Sequence, residues 1–270
     1  MPSPRSYLAA AVQMTASSSK EENLAKAETF VRLAAERGAA LVVLPEVFAW
    51  RGPRKEEPAQ LESIPGPTSE RLAELARSLG IHLLAGSFLE KTTEQRAYNT
   101  SLLFSPTGDL LAQYRKIHLF DIDLPGQVSI RESDTKKPGR EVVSARTELG
   151  TVGLSICYDL RFPELYRGLA DRGAELICVP AAFTFPTGAA HWEALLRARA
   201  IENQSYLIAP NQIGKNVYGF ADYGNSMIID PWGKILARAP DKECLITAEI
   251  DRDYLEKVRR ELPCLAHRRL

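Results

Sequence analysis

Three runs in this sequence end abruptly in a residue able to do covalent or acid–base chemistry. Leu41-Val42-Val43-Leu44-Pro45 ends at Glu46, the run from Leu110 to Arg115 ends at Lys116, and Thr151 to Ile156 ends at Cys157. In α/β sheets ligands sit outside the carboxyl ends of strands, so a carboxylate, an ammonium and a thiol delivered there can converge on one rim. Together they suit acyl transfer: a thiol to attack a carbonyl, a carboxylate to move its proton and a cation to hold the oxyanion. Singly, each has a plainer reading, as a helix-start charge, a surface lysine or a buried small hydrophobe.

The elements that must position them follow from periodicity. Tyr7–Met14 reads as a strand and Ser18–Arg37 as a helix with Leu24, Ala27, Phe30, Val31 and Ala34 on one face, stopped by Gly38. Ala40–Leu44 is a short apolar strand, Pro67–Ser78 a helix ended by Gly80, and Ile81–Phe88 a strand. Tyr98–Phe104 and Leu110–Lys116 form a hairpin around Ser105-Pro106-Thr107-Gly108-Asp109. Thr151–Ile156, Glu175–Val179, Ser205–Ala209, Ser226–Asp230, Lys234–Arg238 and Cys244–Ile250 read as strands. Phe162–Arg172 and Gly188–Asn203 read as helices, and Asp251 is placed to cap a last one. Alternating strands and helices with interspersed hairpins predict a layered α/β fold with mixed sheets. Asp121–Arg140 has no clear period and reads as an ordered loop over the site.

Composition narrows the function. Of 270 residues, 45% are hydrophobic and 25% charged, an ordinary globular balance. Lys plus Arg and Asp plus Glu are each 34, so no excess charge points to nucleic acid or an anionic membrane. No apolar run is long enough to span a bilayer, and Met1 to Met14 does not read as a signal peptide. The four cysteines form no CxxC pair and read as reduced thiols, which favours a cytoplasmic setting. His82, His118, His191 and His267 lack metal-ligand spacing, so neither a metal nor an organic cofactor is expected. His118 reads as a brace for the lysine loop, and His191 as a packing or hydrogen-bonding residue.

The surroundings of the three residues carry more weight. Leu44-Pro45-Glu46, Tyr114-Arg115-Lys116-Ile117-His118-Leu119 and Cys157-Tyr158-Asp159-Leu160-Arg161-Phe162-Pro163-Glu164 resemble motifs of the nitrilase superfamily of carbon–nitrogen hydrolases. Phe120 to Gly126, Gly188 to Asn203 and Asp230-Pro231-Trp232-Gly233 resemble its Nit branch, and the likeness covers essentially the whole chain. It implies one carbon–nitrogen hydrolase domain over residues 1–270, an αββα sandwich, and pairing through a helical face into a homodimer or higher homo-oligomer with a four-layer core. It implies Glu46, Lys116 and Cys157 as the catalytic triad and Glu132 as a second glutamate of the site. Oxyanion support is then expected from the Tyr158 N–H. Arg161 is open between binding a substrate carboxylate and pairing with an acid to hold the loop, the structural role being favoured. The start of the helix after Cys157 is expected to assist the thiolate.

The implied reaction is hydrolysis of a small carboxylated amide through a thioester on Cys157. Deaminated glutathione is favoured over the ω-amides 2-oxoglutaramate and 2-oxosuccinamate. Phe48-Ala49-Trp50-Arg51-Gly52 lacks the Tyr-Gly ending of ω-amidases, and Phe162-Pro163-Glu164 is nearer the deaminated-glutathione group. Arg51, Arg54, Arg131 and Arg161 are candidates to hold the substrate carboxylate. A true nitrilase, or a non-catalytic member that kept the fold, are the alternatives.

Overall fold

The computed structural model describes residues 4–126, 128–217 and 219–269. The first part runs β1 (Ser6–Gln13), α1 (Lys20–Glu36), β2 (Ala39–Val43), α2 (Pro67–Leu79), β3 (His82–Leu84), β4 (Phe88–Glu90), β5 (Tyr98–Phe104) and β6 (Leu110–Arg115). A hairpin follows, β7 (Asp121–Leu124) with β8 (Val128–Arg131). The second part runs β9 (Ser144–Thr147), β10 (Gly150–Leu154), α3 (Pro163–Asp171), β11 (Leu176–Cys178), α4 (Phe185–Asn203) and β12 (Tyr206–Ala209). It closes with the pair β13 (Ile213–Lys215) and β14 (Ala221–Tyr223), then β15 (Met227–Ile229), β16 (Ile235–Arg238), β17 (Cys244–Asp251) and α5 (Arg252–Glu261).

Two mixed sheets result. One has the order β17-β1-β2-β3-β5-β4 with β6 on the other edge of β5, and the other has the order β16-β15-β12-β11-β10-β9. β1, β2 and β3 run parallel, as do β10, β11 and β12. The two-residue period of the strands explains the layering. Ala9, Ala11, Leu41, Val43 and Leu84 join the core shared with the second sheet. Their neighbours Ala10, Val12, Val42, Leu44 and Leu83 pack with Leu24, Ala27 and Val31 of α1 and Leu72 and Leu75 of α2. On the other side Trp192, Leu196 and Ala200 of α4 are buried with Leu207 and Ile228. The order helix, sheet, sheet, helix is the expected αββα sandwich.

Most expected elements stand within one or two residues, including the Asp251 cap, whose carboxylate accepts the Tyr254 N–H at 3.0 Å. Four differ. The expected strand Ile81–Phe88 is two strands broken at Gly86, whose φ is +42°. α4 starts at Phe185 rather than Gly188, because Pro186 suits a first helical turn. Asp121–Arg140, expected as an ordered loop, opens with a hairpin and a 3-10 turn over 121–134, with Gln127 outside the described residues. The chain after Cys157 makes a 3-10 turn, Cys157–Arg161, and the α-helix begins only at Pro163, so the expected helix does not start at the thiol.

Candidate active site

Glu46 follows the carboxyl end of β2, Lys116 that of β6, and Cys157 lies just beyond β10. β6 is antiparallel to β5, itself antiparallel to β3, so Lys116 emerges on the same rim as Glu46. The first sheet thus supplies the two charged groups and the second the thiol, and the hairpin brings Glu132 from the side.

The four residues meet. Lys116 Nζ donates to Glu46 Oε1 at 2.8 Å and to Glu132 Oε2 at 2.9 Å, and its side chain is 2% exposed. A lysine this buried is tolerable only when paired and hydrogen-bonded. Asn99, on β5, donates its amide to Glu46 Oε1 at 2.9 Å and to Glu132 Oε1 at 3.3 Å, tying the two carboxylates together. Backbone donors finish the set: Ala182 N–H to Glu46 Oε2 at 2.9 Å and Phe120 N–H to Glu132 Oε2 at 2.7 Å. The Glu46 backbone is fixed as well. Gln212 donates to its carbonyl at 2.8 Å, and the adjacent Val47 N–H bonds Ser87 Oγ at 3.0 Å.

Cys157 has φ +47°, a left-handed conformation that a non-glycine residue adopts only when its surroundings impose it. Its N–H donates to Pro180 O at 2.8 Å, and the preceding Ile156 N–H donates to Asp159 Oδ2 at 2.8 Å. Among the described residues no acceptor takes the Tyr158 N–H.

Electrostatics set the resting charges. Burial alone would drive Lys116 towards neutrality, but Glu132, Glu46 and Cys157 more than reverse this and hold its pKa well above the ordinary lysine range. Burial would raise the Glu132 pKa, yet the Lys116 charge and the Phe120, Lys116 and Asn99 hydrogen bonds bring it below 4.5. Burial, then the Glu46 charge and hydrogen bond, push the Cys157 thiol well up, and Lys116 and the Ala182 N–H offset this only in part. The resting site is therefore ammonium, carboxylate and neutral thiol. A thiol so raised would need a base to act as a nucleophile, and Glu46 is the carboxylate whose charge weighs most on it.

These groups open into a cavity of about 480 Å³. Trp50, Phe120, Val128 and Ile130 give it apolar wall, and the hairpin covers it as expected. Of the four candidate carboxylate anchors, Arg51 is buried against Asp222, to which it donates twice. Arg161 does not line the cavity. Its guanidinium meets His191 Nδ1 at 3.2 Å and lies over the rings of Tyr158 and Phe183, with no acidic partner among the described residues. Tyr158 turns its ring to Phe120 and Phe162 and offers only its backbone to the site. Arg54 and Arg131 remain on the wall. Arg54 shares itself with Asp134 at 3.1 Å and the Arg131 carbonyl.

Sequence reading missed Asn99, the Ala182 and Phe120 amides, and the 3-10 segment Arg54–Gln60 that lines the cavity with Arg54 and Glu57. Asn99 had a signal: it opens a polar run, Asn99-Thr100-Ser101, in a strand buried on both faces. The amide donors had none, since backbone placement is not written in residue type.

The sequence pattern of the family described as carbon-nitrogen hydrolase matches residues 8–260. Over 266 residues, 97% of this chain and 98% of the relative, the sequence is 46% identical to a deaminated glutathione amidase of Synechocystis sp. (strain PCC 6803 / GT-S). It is 40% identical to the human omega-amidase NIT2 over 98% of this chain and 95% of that one. The crystal structure of Saccharomyces cerevisiae Nit3, a member of branch 10 of the nitrilase superfamily, superposes with a TM-score of 0.88 at 34% identity, covering 100% of this chain and 99% of the other. The chain belongs to the carbon–nitrogen hydrolase family.

Proposed function

We propose that the enzyme hydrolyses the amide of a small carboxylated substrate through a thioester on Cys157, and that this substrate is deaminated glutathione. The observation that carries the reaction is Lys116 Nζ held at 2.8 and 2.9 Å between the carboxylates of Glu46 and Glu132, with the Cys157 thiol beside them on the same cavity wall.

The Cys157 sulfur attacks the amide carbon as its proton passes to Glu46. The Lys116 ammonium and the Tyr158 N–H hold the oxyanion. The tetrahedral adduct collapses, the C–N bond breaks, and Glu46 protonates the departing nitrogen. Water then enters and gives a proton to Glu46, and its oxygen attacks the thioester carbon. Collapse releases the acid, and the sulfur recovers its proton from Glu46. Glu132 keeps Lys116 charged and in place throughout. No step uses a cofactor.

Deaminated glutathione and 2-oxoglutaramate share one acyl group and differ in what leaves, a dipeptide or ammonia. Two observations favour the larger. Identity is higher to the deaminated glutathione amidase, 46% against 40%. The cavity of about 480 Å³ lies in the range of pockets that enclose drug-sized ligands and carries Arg54 and Arg131 on its wall for a carboxylate. Exposed Ile201 on α4, Trp232 in the β15–β16 turn and Leu236 on β16 support pairing of two copies there. Four free cysteines fit the reducing cytoplasm.

The test is product 2-oxoglutarate from each substrate, beside Cys157→Ala. Faster release from deaminated glutathione, lost in the variant, supports the proposal. Preference for 2-oxoglutaramate makes the enzyme an ω-amidase. No turnover of either by folded protein overturns the substrate, and nitriles are then the next class to assay.

A further inference from the structure

Asp159 is two residues past the nucleophile, wholly buried, and accepts four hydrogen bonds. One comes from its own turn, the Ile156 N–H at 2.8 Å. The other three come from the lysine segment. Tyr114 Oη donates to Oδ2 at 2.7 Å, the His118 N–H donates to Oδ1 at 3.0 Å, and His118 Nδ1 lies 2.7 Å from Oδ1. Tyr114 and His118 stand two residues before and two residues after Lys116. Tyr114 Oη also receives the Ile117 N–H at 3.3 Å, so the donors bracket the lysine on both sides.

A second layer repeats the connection. The His118 ring stacks on Phe162 with centroids 3.7 Å apart and planes 6° from parallel. Phe162 meets Tyr158 edge-on at 5.4 Å, and Tyr158 meets Phe120 at 5.1 Å. Two rings of the nucleophile segment are thus held between two of the lysine segment.

We propose that Asp159 is the positioning residue that fixes Lys116 relative to the Cys157 sulfur, by clamping the end of β6 to the nucleophile turn. The two groups come from different sheets, and no regular strand pairing joins β6 to β10. A carboxylate accepting from both sides is a stiff link; with the Ala182 and Gln212 bonds to Glu46 it joins the two halves by directed contacts, where apolar packing alone would tolerate sliding. The same carboxylate takes the Ile156 N–H and so helps hold the left-handed backbone of Cys157. Asp159 touches neither substrate nor sulfur; it acts through where it puts the lysine.

The inference rests on Cys157 and Lys116 acting as the proposal above assigns them, and its test needs no substrate. Iodoacetamide alkylation of Cys157 is followed by mass spectrometry of its peptide, at neutral pH, in the wild type, Asp159→Asn and Tyr114→Phe. Thermal melting of each shows that it is folded. A lysine displaced by about 1 Å is expected to slow alkylation about 10²-fold in Asp159→Asn, and loss of one donor about tenfold in Tyr114→Phe. In turnover assays the loss falls on kcat, with KM within about threefold. Wild-type alkylation rates in folded Asp159→Asn and Tyr114→Phe overturn the inference. If Asp159→Asn does not fold, Tyr114→Phe decides alone: slowed alkylation supports the clamp and an unchanged rate overturns it. Absence of turnover on either amide, by contrast, strikes only the substrate.

Discussion

Lys116 decides the charge of the site. Its ammonium lies between Glu46 and Glu132, and removing it would leave two carboxyl groups facing each other with no cation between them. Lys116→Gln is therefore expected to force a proton onto one of them and lower kcat about 10³-fold, read by steady-state kinetics. Glu46→Gln keeps the shape and removes the carboxylate proposed to carry the proton. It should lower kcat by about 10³-fold while the melting temperature moves little, since general acid–base groups contribute about 10²–10⁴-fold. Arg131 has no ion-pair partner on the cavity wall among the described residues and sits next to Glu132. Arg131→Gln should raise KM for deaminated glutathione about tenfold or more, with Arg131→Lys recovering part of it; an unchanged KM removes Arg131 as the carboxylate anchor.

At the scale of elements, glutamate, lysine and cysteine were legible because each ends a strand that periodicity identifies. The hairpin over the site was not. Its strands stand off both sheets, so Asp121, Ile122, Asp123 and Leu124 alternate only between exposed and half-buried, and their composition matches a loop. Asp159 lay inside a recognised motif, yet its letter could not say that it is wholly buried or that it reaches the lysine segment. The break between β3 and β4 was hidden for a different reason. Gly86 is there because the Pro45 carbonyl passes close, and a Cβ would sit 2.0 Å from that oxygen. Gly86→Ala must push the chain that carries Glu46, and its φ of +42° adds strain. We expect about 1–3 kcal/mol lost in denaturant unfolding, and a fall in kcat larger than stability alone accounts for.

At the scale of the whole molecule, two features extend beyond the site. Ile201 and Trp232 are 47% and 58% exposed, and Gly233 packs on Ile201, so they form one apolar patch beside α4. If this patch pairs two copies, Trp232→Asp gives a monomer in sedimentation velocity, whereas an unchanged mass places any interface elsewhere. The second feature is pH dependence. Glu132 titrates below 4.5 in the folded protein, so its pairing stabilises the fold above that range and is lost as pH falls through its depressed pKa. Thermal melts from pH 6 down to pH 3 should show wild type losing more stability than Glu132→Gln; equal slopes would contradict the assignment.

The seam between the sheets has a consequence for how activity is born. Glu46 and Lys116 belong to one sheet and the Cys157 sulfur to the other, so neither half of the sandwich holds the whole of the proposed centre. Competence is a coincidence of two structures and arises only when they dock. During refolding, far-ultraviolet signals from strands and helices should return first, and hydrolysis should lag until the interface has closed. A nascent chain thus carries a thiol without its glutamate and lysine neighbours, and on the proposed mechanism hydrolysis begins only once the two sheets have closed on each other.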